Sequence, residues 1–122
     1  MDKIKTFEDL TVWKRSHDLA LEIYRITKDF PNEEKFGLVP QMRRAVVSVP
    51  ANIAEGFKRR GVKDKIHFYN ISQGSLSELQ YYLILVKDLG FKVNLDKSSS
   101  LILEIGKMLN GLIIAIVGGF PS

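Results

Sequence analysis

The sequence has no cysteine, two histidines and four prolines among 122 residues. Each scarcity removes a class of explanation. Without thiols there is no disulfide framework, zinc ribbon or cysteine nucleophile, so stability has to come from packing, and a reducing cytoplasm is the expected compartment. Uninterrupted apolar runs are short as well. None exceeds six residues, the length of Leu112 to Val117, against the roughly 20 that a membrane-crossing helix needs. No apolar stretch follows the lysines of the opening Met1–Thr6, so neither a signal peptide nor a membrane protein is expected. Phosphate-cradling loops are missing too, because Gly37, Gly56, Gly61 and Gly74 do not sit in a strand-to-helix setting.

Catalytic groups are equally thin. His17 lies on an apolar helical stripe, where a packed histidine is the expected role. Asp64-x-x-His67 faintly resembles half of a di-iron bundle motif, but such centres take two such elements and two further inward glutamates, and one imperfect copy exists. Neither Ser48 nor the Ser98–Ser100 run has a paired base. The expectation is a non-enzymatic protein with no metal and no cofactor.

What is abundant is helical periodicity. The 45% hydrophobic content suits a single domain over residues 1–122. Apolar residues recur three and four apart in four segments, predicting helices over about 7–29, 38–59, 64–89 and 96–117. Thr6-Phe-Glu-Asp9 reads as the cap of the first. Its stripe contains Leu10, Trp13, His17, Ala20, Tyr24 and Thr27, with Leu19, Ile23, Ile26 and Phe30 beside it. In the second, Val39, Met42, Val46, Val49, Ile53 and Phe57 stay on one side both before and after Pro50. The helix should therefore continue through the proline with a kink, at a cost of about 3 kcal/mol for an ordinary helix interior. Ser48, Asn52 and Glu55 project to the opposite side, and Arg43 should find a carboxylate, Glu78 or Glu22. Asp64 can cap the third segment, along which Phe68, Ile71, Ser75, Leu79, Tyr82, Val86 and Leu89 recur, joined by Leu76 and Leu83. Gly90 ends it. Asn94 or Asp96 opens the fourth, whose stripe is Ile102, Ile105, Leu109, Leu112 and Ile116, and Gly118 to Pro121 stop it. Four amphipathic helices with short connections and no alternating strand pattern predict an all-α, antiparallel up-down four-helix bundle.

Charge is distributed unevenly. Residues 41–65 carry seven cations, Arg43, Arg44, Lys58, Arg59, Arg60, Lys63 and Lys65, against Glu55 and Asp64, whereas the rest of the chain is nearly balanced. Such a cluster either solvates a helix end, where cations also complement the macrodipole, or meets an anionic partner. Phe57, Phe68 and Tyr69 lie nearby in sequence, as stacking surfaces for bases would. Arg44, Lys58, Arg59, Arg60, Lys63 and Lys65 are the candidate nucleic-acid contacts, reading backbone charge or shape before base identity.

Longer patterns resemble a known family, the four-helix-bundle proteins first described as products of intervening sequences within bacterial 23S ribosomal RNA genes. The resemblance rests on Phe7-x-x-Leu10-x-Val12-Trp13, Ile23-Tyr24, Phe30-Pro31, the stretch from Gln41 to Gly56, and Gly74-Ser75-Leu76-x-Glu78-Leu79. Its structural signature falls on Trp13, Arg43, Ser48, Pro50, Asn52, Glu55, Gly56, Ser75 and Glu78. The resemblance implies a kinked second helix and a ring-like homopentamer with a basic central region. Similar bundles serve as accessory proteins of diversity-generating retroelements and associate with a reverse transcriptase and nucleic acid. Val39-Pro40 departs from the pattern, since relatives often cap this helix with Thr or Ser. Two functions follow as expectations: a homo-oligomer that binds RNA or other nucleic acid, or a protein-interaction adaptor, such as a reverse transcriptase subunit, that touches no nucleic acid.

Overall fold

The computed structural model describes residues 3–119. Met1, Asp2 and the Phe120–Pro121 part of the expected stop lie outside the described residues. Four helices account for most of the chain: α1 (Thr11–Thr27), α2 (Leu38–Lys58), α3 (Val62–Asp88) and α4 (Asp96–Val117), with short 3-10 turns at Phe7–Asp9 and Asn32–Glu34. Among the described residues there is no strand. α2 lies against α1 and α3, and α4 against the same two helices, so the four close into a square around one core. Met42, Val46, Val49 and Ile53 of α2 meet Leu19 and Ile23 of α1, Leu79 and Val86 of α3, and Ile105 and Leu109 of α4 in that core, all fully buried.

The first helix starts later than its sequence suggests. The capping box is real: Thr6 Oγ1 accepts from the Glu8 N–H at 3.2 Å, and Asp9 Oδ2 accepts from the Thr6 N–H at 3.0 Å. It closes only a 3-10 turn, because Leu10 then turns extended (ψ 127°) to bury its side chain, and α1 begins at Thr11. The buried face also differs. Val12, Ser16, Leu19, Ile23 and Ile26 point inward, while His17 is exposed and lies flat against Trp13, centroids 5.3 Å apart. Two overlapping apolar stripes left the choice to tertiary packing, and a small hydroxyl won: Ser16 fits inside by donating to the Val12 carbonyl at 2.7 Å.

α3 shows the same rotation. Its buried line is Tyr69, Ser72, Leu76, Leu79, Leu83 and Val86, whereas Ile71 and Leu89 face outward. Ile71, Tyr81 and Ile84 put further apolar residues off the core line, so periodicity alone could not choose a side. It ends in a Schellman motif at Gly90 (φ +81°), with the Gly90 N–H bonded to the Lys87 carbonyl and the Phe91 N–H to that of Val86. Phe91 then meets Phe30 edge to face, centroids 5.3 Å apart, tying the end of α3 to that of α1. Leu95 takes the cap position of α4, and Asn94 just before it accepts from the Asp96 N–H at 2.9 Å.

α2 runs unbroken through the buried Pro50. Its first turn is capped neither by Thr nor by Ser but from outside: Glu34 Oε1 accepts the Leu38 N–H at 3.1 Å. α4, though interrupted by Glu104, Lys107 and Asn110, is 22 residues long and apolar enough by composition to cross a bilayer, which the criterion of an uninterrupted apolar run overlooked. It seats Leu101, Ile102, Ile105, Leu109 and Ile116 inward but leaves Leu103, Ile114 and Val117 in the open.

Candidate nucleic-acid interface

Ser48, expected on the outer side of α2, faces α3 with Asn52 bonded to it, whereas Glu55 is exposed as expected. Ser75 Oγ donates to Ser48 Oγ at 2.8 Å, Asn52 Nδ2 donates to Ser48 Oγ and to the Ser48 carbonyl, and Ser72 Oγ donates to the Val49 carbonyl at 2.9 Å. These small side chains let the two helices approach on either side of Pro50. A turn and a half further on, the Tyr69 ring lies directly on Gly56, where a Cβ would stand 2.6 Å from Tyr69 Cε1. Pairs 48–75, 49–72 and 56–69 run in opposite order along the two helices. This closely fitted edge determines how the chain leaves α2 and enters α3, and so where the cations go.

Among the described residues Arg43 meets no carboxylate. Its Nε donates to Thr27 Oγ1 at 2.9 Å, Nη2 donates to the Tyr24 carbonyl at 3.3 Å, and the guanidinium stacks on the Tyr24 ring, 4.5 Å from its centroid. The two expected acids have other partners. Buried Glu22 takes both Arg25 Nε and Nη2, at 2.8 and 2.7 Å, and that ion pair with burial opposing it holds its carboxyl below the usual glutamate range. Glu78 accepts the Tyr82 hydroxyl at 2.6 Å, which pushes the phenol upward. Arg43 is thus a clamp between α2 and the last turn of α1, using carbonyl and hydroxyl oxygens that sequence periodicity does not reveal.

The six cationic candidates separate into four groups. Lys58, Arg60 and Lys63 stand exposed where α2 hands over to α3, with no hydrogen bond or ion pair among the described residues. Arg59, beside them, bonds Glu55 at 2.9 Å and lies over the Phe68 ring, 4.7 Å from its centroid. Lys65 turns back: its ammonium donates to the carbonyls of Gly56 and Phe57, at 3.2 and 2.9 Å, and burial lowers its pKa. It closes the C-terminus of α2, where the macrodipole favours a cation, and its charge is largely used within the chain. Arg44 is exposed but 14 residues before Lys58, about 21 Å along the helix axis, so it does not join the others. The nearby aromatics also divide. Tyr69 is fully buried and offers no stacking face, while Phe57 and Phe68 are half-buried beneath cations.

The same end of the bundle carries a ladder that the sequence did not announce. Phe7 meets Trp13 edge to face at 5.2 Å, and His17 continues the stack with an exposed imidazole. The 3-10 turn bearing Phe7 rests on α2 as well as on α1. His67 stands against Phe68 and is exposed. Among the described residues no three His, Asp or Glu side chains gather closely enough to hold a metal ion.

Comparison with known proteins places this bundle. A crystal structure at 1.70 Å of a protein of unknown function from the S23 ribosomal protein family of Bacteroides thetaiotaomicron VPI-5482 is similar, with a TM-score of 0.74 and 28% identity, covering 84% of this chain and 94% of that one. No functionally curated protein matches. The profile of the 23S rRNA-intervening sequence proteins matches residues 8–111, which include the α2 signature and the α2–α3 turn. The chain belongs to the 23S rRNA-intervening sequence protein family.

Proposed function

We propose that the protein is a non-enzymatic, homo-oligomeric bundle that binds RNA or another nucleic acid through the turn between α2 and α3. The observation that carries this reading is the free charge of Lys58, Arg60 and Lys63, crowded at one end and joined by Arg59 on Phe68. Cations without internal partners are the ones able to replace condensed counterions along a phosphate backbone. Arg59 combines charge with a planar face, a usual feature of contacts to single-stranded bases. Symmetric repetition in an oligomer would multiply a modest subunit field. Membership in a family named for ribosomal RNA intervening sequences favours RNA as the first ligand to try.

The test is a binding isotherm with structured RNA over a salt series, comparing wild type with the triple variant Lys58→Gln, Arg60→Gln, Lys63→Gln. Each lost phosphate contact flattens the logarithmic salt dependence by about 0.7 to 0.9, so the variant's slope should fall by about 2 to 3. A control triple, Lys28→Gln, Lys92→Gln, Lys97→Gln, should leave slope and affinity in place. Equal slopes for wild type and the first triple would end the nucleic-acid reading. The exposed apolar side chains of α3 and α4 favour the second reading, a protein adaptor such as a polymerase accessory subunit, and capture of a partner that survives nuclease treatment would decide for it.

A further inference from the structure

Phe68 is an aromatic ring that stands off the core. Among the described residues Phe57 packs against the buried core and Phe68 does not. Two polar neighbours cover Phe68 instead: the Arg59 guanidinium lies over its face, 4.7 Å from the centroid, and His67 meets it at a steep 75°, with 5.1 Å between centroids. The arrangement is fixed from both sides of the turn. Tyr69, the next residue, is held on Gly56, and Arg59 leaves α2 in an extended conformation (φ −72°, ψ 147°) that lets its side chain turn back over α3. Glu55 holds the guanidinium at 2.9 Å, yet the Arg59 side chain is still 44% exposed, so its plane is backed by a ring on one side and open to solvent elsewhere.

We propose that Arg59 on Phe68 seats one unpaired base, so that the α2–α3 turn selects single-stranded nucleic acid over duplex. The charges of the turn divide the work. Arg59 has its charge answered by Glu55, and what it presents to a ligand is its plane. Lys58 and Arg60 flank it in the chain and, with Lys63, keep their charge free for the phosphates beside the seated base. Guanidinium planes and aromatic rings are the surfaces on which splayed bases stack. A base inside a duplex has both faces taken by its neighbours and shows a protein only its edges, which a flat platform does not read. The inference rests on the nucleic-acid reading above and names the kind of strand that the site takes.

Anisotropy titrations of the full chain at one salt concentration test it, with three RNA probes of equal length: an oligouridylate, an abasic strand with the same phosphates, and a duplex. Phe68→Leu removes the ring, and Arg59→Lys keeps the charge but removes the plane, so that a second variant remains should Phe68→Leu fail to fold. Each should lose about fivefold or more in affinity for oligouridylate, the lower end of what one base–aromatic stack contributes, and much less for the abasic strand and the duplex. Tyr81→Leu, which removes an exposed ring farther along α3, should leave all three affinities in place. A loss of equal size on all three probes would show that Phe68 and Arg59 only support the turn, and no loss on oligouridylate would show that no base stacks there; either overturns the base seat while leaving the phosphate contacts standing. A wild type that binds none of the probes overturns the seat together with the nucleic-acid reading.

Discussion

At the scale of single residues, several side chains do work that their type conceals. Gly56 lies in a helix, where glycine is normally a cost, yet the Tyr69 ring occupies the place of its Cβ. Gly56→Ala should therefore destabilise by about 1–3 kcal/mol through overpacking, read as a lower melting temperature, although alanine is the better helix former. Glu22 is buried and held by Arg25 in a two-bond pair. Its folded pKa lies below the unfolded value of about 4.3. The stabilisation is thus present above that pH and disappears as pH falls through the lower folded value. The thermal stability advantage of wild type over Glu22→Gln should be seen at pH 7 and shrink under acid; an advantage independent of pH would contradict the pairing. Lys65 makes the complementary point. In sequence it is one more cation in a basic run, but its ammonium is taken by two carbonyls at the end of α2. Lys65→Gln should lower stability more than it flattens the salt dependence of binding, the reverse of Lys63→Gln.

At the scale of elements, helix ends give the clearest contrasts. Gly90 has φ +81°, so Gly90→Ala should cost about 1–2 kcal/mol for the left-handed conformation. Gly61, the residue before α3, has φ −83° and open space around its missing Cβ. There, Gly61→Ala should be neutral or stabilise by about 0.4–1 kcal/mol by restricting the unfolded chain; paired denaturation curves would check both. The existence of four helices was legible because each segment repeats its apolar positions for at least four turns, and the α2 stripe from Val39 to Ile53 is buried throughout. The facing of α1 and α3 was not. In each, two adjacent apolar lines compete, and the outcome depends on where the neighbours leave room for Ser16 and Ser72. The basic turn was legible from composition alone. Its division into free, paired and inward cations was not, since only the path from Gly56 to Lys65 decides which charges reach solvent.

At the scale of the whole molecule, the two ends of the square have different chemistry. The α2–α3 turn is cationic, and the opposite end carries the exposed Phe36 and a cleft between α3 and α4. The Lys58, Arg60 and Lys63 triple variant should retain the wild-type mass and helical signal while losing RNA, and measuring mass and binding on one preparation checks that the cations serve the ligand and not the fold. The Phe30–Phe91 contact has a further consequence for motion. It joins the exit of α1 to the exit of α3, so neither connection at that end can loosen without prising apart a shared pair of rings. In amide hydrogen exchange these two segments should therefore open as one cooperative unit, with matched protection on both sides of the ring pair.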